Sequence, residues 1–143
     1  MVTTDYVSYE LAKKLKRCGF DEPCNYGYSV KMRLEPEVSF GEPKMVHSKA
    51  PKNFNDNRKG IEKGLSFCSA VPLWHAQKWL REKKGIFVEV TSEALHDWDF
   101  FVMELDEDAN VGVVRGSEIY PTYEQALCAG IAAALELIKP AHQ

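Results

Sequence analysis

Pro121-Thr122-Tyr123-Glu124-Gln125-Ala126-Leu127-Cys128-Ala129-Gly130-Ile131-Ala132-Ala133-Ala134-Leu135-Glu136-Leu137-Ile138 is the stretch whose reading decides the fold. Thr122, with Gln125 three residues on, is a capping box, in which side chains satisfy the orphan amides of a first helical turn. Tyr123, Leu127, Ile131, Leu135 and Ile138 then recur at helical spacing as one apolar stripe. Ala129, Ala132 and Ala133 line the other side, where small side chains favour helix and permit close approach of another element. The stretch is an amphipathic closing helix, and its stripe needs a surface to bury against.

The segments upstream supply that surface. Ile86-Phe87-Val88-Glu89-Val90-Thr91 is a β-branched run with Ile86, Val88 and Val90 on one face. Ser92 to Asp97 connects it to a second strand, Trp98 to Leu105. That strand is apolar on both faces, which predicts a central position with cover on each side. Asp106 to Asn110 is a polar turn, and Val111-Gly112-Val113-Val114 is a third strand extending toward Ile119. Before them, Pro72 to Lys84 reads as a helix, with Leu73, Ala76, Trp79 and Leu80 on its apolar side and Gly85 as its stop. The C-terminal part therefore has the order α-β-β-β-α.

The N-terminal part opens on another helix, Ser8 to Cys18. Val7, Leu11, Leu15 and Cys18 share a stripe, Ser8 caps, and Gly19 with Phe20 offers a Schellman closure onto Leu15. Residues 26–34 alternate and read as a strand. From Glu35 to Gly64 only seven of 30 residues are apolar, with Pro36, Pro43 and Pro51, and Asn53 to Asn57 has turn chemistry. This predicts a long irregular excursion over 35–64. The expected fold is α+β, an antiparallel sheet of three to four strands packed by two or three helices.

At 143 residues the chain fits one domain, 1–143, and 45% hydrophobic with 27% charged residues suits a folded globule better than a disordered one. No apolar run reaches the roughly 18 residues that cross a bilayer. Met1-Val2-Thr3-Thr4-Asp5 has neither a basic nor an apolar leader region, so the expectation is a cytoplasmic protein with no membrane contact. Cys18, Cys24, Cys68 and Cys128 contain no C-x-x-C pair, which gives zinc or redox use no support; Cys18 and Cys128 read as small buried hydrophobes. The net charge of −3 hides an asymmetry. Residues 1–88 carry 16 bases against 10 acids, and residues 89–143 carry 2 against 11. Such a chain pairs its halves internally or offers opposite faces to partners of opposite sign.

Few residues invite chemistry. Asp106-Glu107-Asp108-Ala109-Asn110 imitates the start of a calcium loop, but Val111 stands where glycine is needed and Ser117 where glutamate is needed. His96-Asp97-Trp98-Asp99 sets an imidazole near two carboxylates, as a small hydrolase would, yet strand alternation turns His96 away from Asp97 and Asp99. No catalytic set, metal-ligand set or cofactor motif emerges. Two clusters repeat one pattern instead. Tyr9 has Lys13 and Lys16 at i+4 and i+7, and Trp74 has Lys78 and Arg81 at the same spacings. An aromatic group ringed by cations suits a protein partner or a stacked base; its structural alternatives are a local cation–π contact or packing beneath the excursion.

The order from Pro72 onward resembles that of the double-stranded RNA-binding domain. That family grips phosphates with lysines at the start of its last helix. Thr122-Tyr123-Glu124-Gln125 has no base there, so the order carries over and the RNA site does not. The chain as a whole is similar to a group of short uncharacterised proteins of gut anaerobic bacteria and their mobile elements. The similarity rests on Val7-Ser8-Tyr9-Glu10-Leu11-Ala12-Lys13-Lys14-Leu15, Gly19-Phe20-Asp21-Glu22-Pro23-Cys24, Ala76-Gln77-Lys78-Trp79-Leu80-Arg81-Glu82-Lys83 and Thr122-Tyr123-Glu124-Gln125-Ala126-Leu127. These cover about a fifth of the chain. The resemblance implies a bacterial cytoplasmic origin and adds no mechanism. The functional expectation is a non-enzymatic interaction module, with an unidentified protein partner meeting Tyr9, Trp74 and their cations. The alternative is nucleic-acid binding through Lys44, Lys49, Lys52, Arg58, Lys59 and Lys63.

Overall fold

A computed structural model describes residues 5–34, 37–56, 64–105, 111–116 and 118–138. Two three-stranded antiparallel sheets and three helices give the α+β class expected from the sequence. They form two compact units, one of residues 7–71 and one of the residues from Pro72 onward with those before Val7.

In the N-terminal unit, α1 spans Tyr9–Arg17. Its cap, Ser8, accepts a hydrogen bond from the Leu11 amide at 3.2 Å. Gly19, at φ 93°, closes it, with the Phe20 amide donating to Leu15 O at 3.0 Å and the Gly19 amide to Lys16 O at 3.1 Å. Those two bonds are the Schellman pair, and Phe20 and Leu15 are both buried beside them. Three strands follow, β1 (Cys24–Leu34), β2 (Glu37–Lys52) and β3 (Leu65–Ser69), in the order β2-β1-β3. The strand expected at 26–34 is thus the centre of its own sheet, and the segment 65–69, to which the sequence reading assigned no element, supplies one edge.

The excursion expected over 35–64 is corrected, because residues 37–52 form a strand. Its polarity reflects an edge position with mostly exposed side chains. Its prolines reflect breaks in register. Ser29 pairs with Lys44 and Lys31 with Phe40, leaving Pro43 in the unpaired step between them. Tyr26 pairs with His47 and Cys24 with Lys52, leaving Pro51 in a second one. A bulged edge strand is where a residue without an amide proton does no harm. Asn25 pins the second bulge, its Nδ2 donating to Ser48 O at 3.0 Å.

Asn53 to Asp56 forms the expected turn, but it is packed against the sheet. Phe54 is buried against Gly27, where a Cβ would lie 2.5 Å from the Phe54 ring. Asn55 donates from Nδ2 to Phe20 O at 2.7 Å and accepts the Ser69 amide at 2.9 Å. The unit begins and ends on one rung, where the Val7 amide donates to Val71 O at 2.9 Å.

In the C-terminal unit, Tyr6 pairs with Pro72 as an isolated bridge. Helix α2, Leu73–Trp79, runs directly into one π-helical turn, Leu80–Lys84, closed by Gly85 at φ 66°. The helix expected over 72–84 is present with its last turn widened. β4 (Ile86–Ala94), β5 (Asp97–Leu105) and β6 (Val111–Arg115) pair in the order β4-β5-β6, so β5 is central as its sequence implies. Ala94 pairs with Asp97, which shortens the expected connection to Leu95-His96, with His96 left-handed at φ 69°. Gln77 Nε2 donates to Val88 O at 2.7 Å, occupying an acceptor on the β4 edge. The third strand stops at Arg115 instead of extending toward Ile119. Tyr120 then pairs with Trp98 through two backbone hydrogen bonds of 2.7 and 2.8 Å.

Helix α3, Tyr123–Leu135, is capped by Thr122, whose hydroxyl accepts the Gln125 amide at 3.1 Å, and it packs on β4 and β5. Leu127, Ile131 and Leu135 are buried as expected. Tyr123 is exposed and meets the Trp98 ring edge-on at 5.6 Å. The small residues that are buried on this helix are Ala126, Gly130 and Ala134, whereas Ala129, Ala132 and Ala133 are half-buried. A Cβ at Gly130 would stand 2.6 Å from Val88 Cγ1. Among the described residues no helix is long and apolar enough to cross a membrane.

Candidate functional site

The α1 stripe faces inward, with Leu11, Ala12 and Leu15 buried. That leaves Tyr9, Lys13 and Lys16 together on its flank, and the structure places all three on a cleft of about 190 Å³. β2 contributes Ser39 to the lining, and β3 contributes Ser66, Phe67 and Cys68. The Tyr9 ring meets Tyr28 edge-on, centroids 5.7 Å apart at 74°, and the Tyr28 hydroxyl donates to Val7 O at 2.7 Å. Lys13 Nζ lies 4.8 Å from the centre of the Tyr9 ring and 3.1 Å from Glu10 Oε2. Lys16 Nζ donates to Phe67 O at 2.8 Å.

The local cation–π contact considered as the bland reading of this cluster therefore exists. It coexists with a concave site. Burial lowers the Lys16 pKa from its ordinary value, with Cys68 pulling the other way. Burial pushes the Cys68 thiol up to about 11, against the opposing pull of Lys16 and Lys13. The cleft thus holds two ammonium groups, two serine hydroxyls and a protonated thiol between aromatic walls. It suits an anion on a short apolar stem. Sites for drug-sized ligands and cofactors run to about 300–1,000 Å³, so this one fits a single side chain.

A protonated thiol is a poor nucleophile. In the native protein Cys68 is expected to react with iodoacetamide at pH 8 at least tenfold more slowly than in urea, the rate climbing only toward pH 11. Site-resolved mass spectrometry reads this directly, and equal rates in the two states would contradict it. The linkage has a defined sign. The raised thiol stabilises the fold fully below the unfolded value of 9.0, and that contribution is lost as pH rises toward 11.

The second cluster lies in the other unit. Trp74, on α2, is 61% exposed and stacks on His75, with centroids 5.4 Å apart at 19°. Lys78 Nζ is 3.9 Å from Glu82 Oε1, and Arg81 is exposed on the π turn. Trp74 therefore stands as an exposed aromatic surface. Of the basic residues considered for phosphate contacts, Lys44, Lys49 and Lys52 are exposed on β2, and Lys52 Nζ lies 4.7 Å from the Phe54 ring centre. Arg58, Lys59 and Lys63 lie outside the described residues, as does the acidic turn Asp106 to Asn110.

His96, Asp97 and Asp99 lie at and beside the β4–β5 hairpin. His96 occupies the exposed hairpin tip and forms no ion pair with either carboxylate among the described residues. Asp99 Oδ1 accepts the Phe100 amide at 2.7 Å. Among the described residues no group of three or more His, Cys, Asp or Glu is arranged to hold a metal ion. The four cysteines form no disulfide.

Sequence reasoning reached Tyr9, Lys13 and Lys16 through helical spacing but missed Ser39, Ser66, Phe67 and Cys68. Those four join the site only through the pairing of β1 with β2 and β3, which spacing along one element cannot reveal. Compared with family models, curated proteins and solved structures, the chain has no significant match in any of the three.

Proposed function

We propose that the protein is a non-enzymatic interaction module that captures an acidic side chain of a protein partner in the cleft beside α1. The observation that carries this reading is the convergence of Tyr9, Lys13 and Lys16 with Ser39 and Ser66 around a volume suited to one side chain. A carboxylate there exchanges water for charge-assisted hydrogen bonds from partly desolvated ammonium groups, which are stronger than neutral ones. The thiol state of Cys68 fits recognition better than nucleophilic chemistry. An accessory role in the bacterial cytoplasm, as the resemblance to mobile-element proteins implies, is in keeping with this.

Peptides selected on the full chain from a random display library test the reading. The selected peptides are expected to be rich in Asp and Glu. Lys13→Glu and Lys16→Met should each weaken them by about tenfold or more, on the scale of one lost charge-assisted pair. Lys49→Glu, on β2, serves as the control and should leave them bound. Peptides without acidic enrichment, or binding indifferent to Lys13→Glu, would remove the proposal.

Nucleic-acid binding is the second reading, favoured by the exposed Lys44, Lys49 and Lys52 along β2. It requires labelled single- or double-stranded oligonucleotides to bind at low salt, with affinity falling steeply as salt rises. No change in polarisation at low salt would eliminate it.

A further inference from the structure

The sheet of the C-terminal unit has two unlike faces. Val88, Phe100 and Val102 lie on the face that α3 covers, and all three are buried. Alternation puts Phe87, Glu89, Phe101, Met103, Val113 and Arg115 on the other, and none of these six is buried. The pairing arranges them in two cross-strand rows. One is Phe87–Met103–Val113, wholly apolar, with Val113 52% exposed. The other is Glu89–Phe101–Arg115, with an acid on β4, an aromatic group on β5 and a base on β6.

A three-strand row of this kind has a property that a single charge lacks. Glu89 and Arg115 are two strands apart, about 10 Å at ordinary strand spacing, with Phe101 between them. Neither forms an ion pair among the described residues, and the Arg115 guanidinium instead lies 5.8 Å from the Phe101 ring centre. Turn a second identical sheet over it, about an axis along β5, and β4 of each copy lies across β6 of the other. Glu89 then opposes Arg115 twice, Phe101 opposes Phe101, Met103 opposes Met103, and Phe87 opposes Val113. An axis across the strands through this row would instead set Glu89 against Glu89 and Arg115 against Arg115, and one midway between the rows would set both charges against apolar side chains. Of these arrangements only the axis along β5 sets each charge against its opposite.

We propose that a second copy of the chain docks on this face, sheet against sheet, about a two-fold axis running along β5. The contact is isologous, so each of its interactions occurs twice, and it covers the apolar side of the central strand that α3 leaves open. Three short strands offer less than the roughly 800 Å² per partner of a standard interface, so the association is weak. Its dissociation constant should be on the order of 10–100 μM.

Sedimentation velocity of the full chain over a concentration series in low salt tests this through charge exchange at exposed positions, which leaves folding intact. The wild type should shift from monomer toward dimer as concentration rises. Glu89→Arg alone and Arg115→Glu alone should each dissociate at least tenfold more readily. The decisive sample is an equimolar mixture of the two variants. The first variant carries a base at both positions and the second an acid at both, so every opposed pair in the mixed dimer is a base against an acid. The mixture should therefore dimerise where neither component does. The doubly exchanged variant should likewise recover the wild-type behaviour. A wild-type chain that stays monomeric throughout, or a mixture no more associated than its components, would overturn the proposal. So would a dimer that tolerates both single variants.

Discussion

Phe54→Ala is expected to destabilise the N-terminal unit by about 3–5 kcal/mol, the usual range for removing a buried aromatic ring. The ring is 4% exposed and fills the space over Gly27, which has no side chain of its own to offer. The turn that carries Phe54 is held by Asn55 between Phe20 O and the Ser69 amide, which resists its closing over the vacancy. Small domains have about 5–15 kcal/mol in total, so a loss of this size removes a large share of the unit's stability. Hydrogen exchange of the β1 amides under mild urea is the direct readout, since β1 is the central strand and should be the best protected. A loss below about 1 kcal/mol would mean that the ring sits loosely on the surface.

The second large effect runs against helix propensity. Gly130→Ala in mid-helix would ordinarily stabilise by about 1 kcal/mol. Here the new Cβ meets Val88 Cγ1 at 2.6 Å and the Phe100 ring at 3.2 Å. Both neighbours are buried, and a β-branched valine has little rotamer freedom with which to retreat. The expected net result is destabilisation by about 1–3 kcal/mol, typical of overpacking, and a fall of several degrees in Tm. Adding Val88→Ala should relieve the clash, so the double variant should lose less than the sum of the singles. A rise in Tm for Gly130→Ala would show that α3 rides higher over β4 than described.

These two residues also mark where the sequence stopped being legible. Elements that announce themselves locally came through it: Ser8 and Gly19 delimit α1, Thr122 opens α3, and the two-sided apolarity of residues 98–105 identifies the central strand. What escaped was whatever depends on a partner distant in sequence. β2 is polar because it is an edge, and its prolines sit in register breaks that exist only opposite β1. Phe54 reads as an isolated aromatic residue in a turn until Gly27 is set beneath it. On α3 the conspicuous alanines drew attention from Gly130, whose cost to the helix is recovered only by contact with the sheet. The cleft divides in the same way, its helical half visible as a spacing and its strand half visible only as pairing.

One rung of the N-terminal unit reaches beyond stability. Val7 and Val71 lie one hydrogen bond apart, so everything between them departs from and returns to a single point. Tyr6 and Pro72, the residues just outside, are likewise paired. The chain is therefore organised as an insertion, with two cut ends that each lie ready to be joined. The loop-closure entropy of the inserted segment is met at that rung, and natural domain insertions and circular permutations begin from the same geometry. An exchange of residues 7–71 as a cassette would use these two points, with a short connection from Tyr6 to Pro72 restoring continuity to what remains.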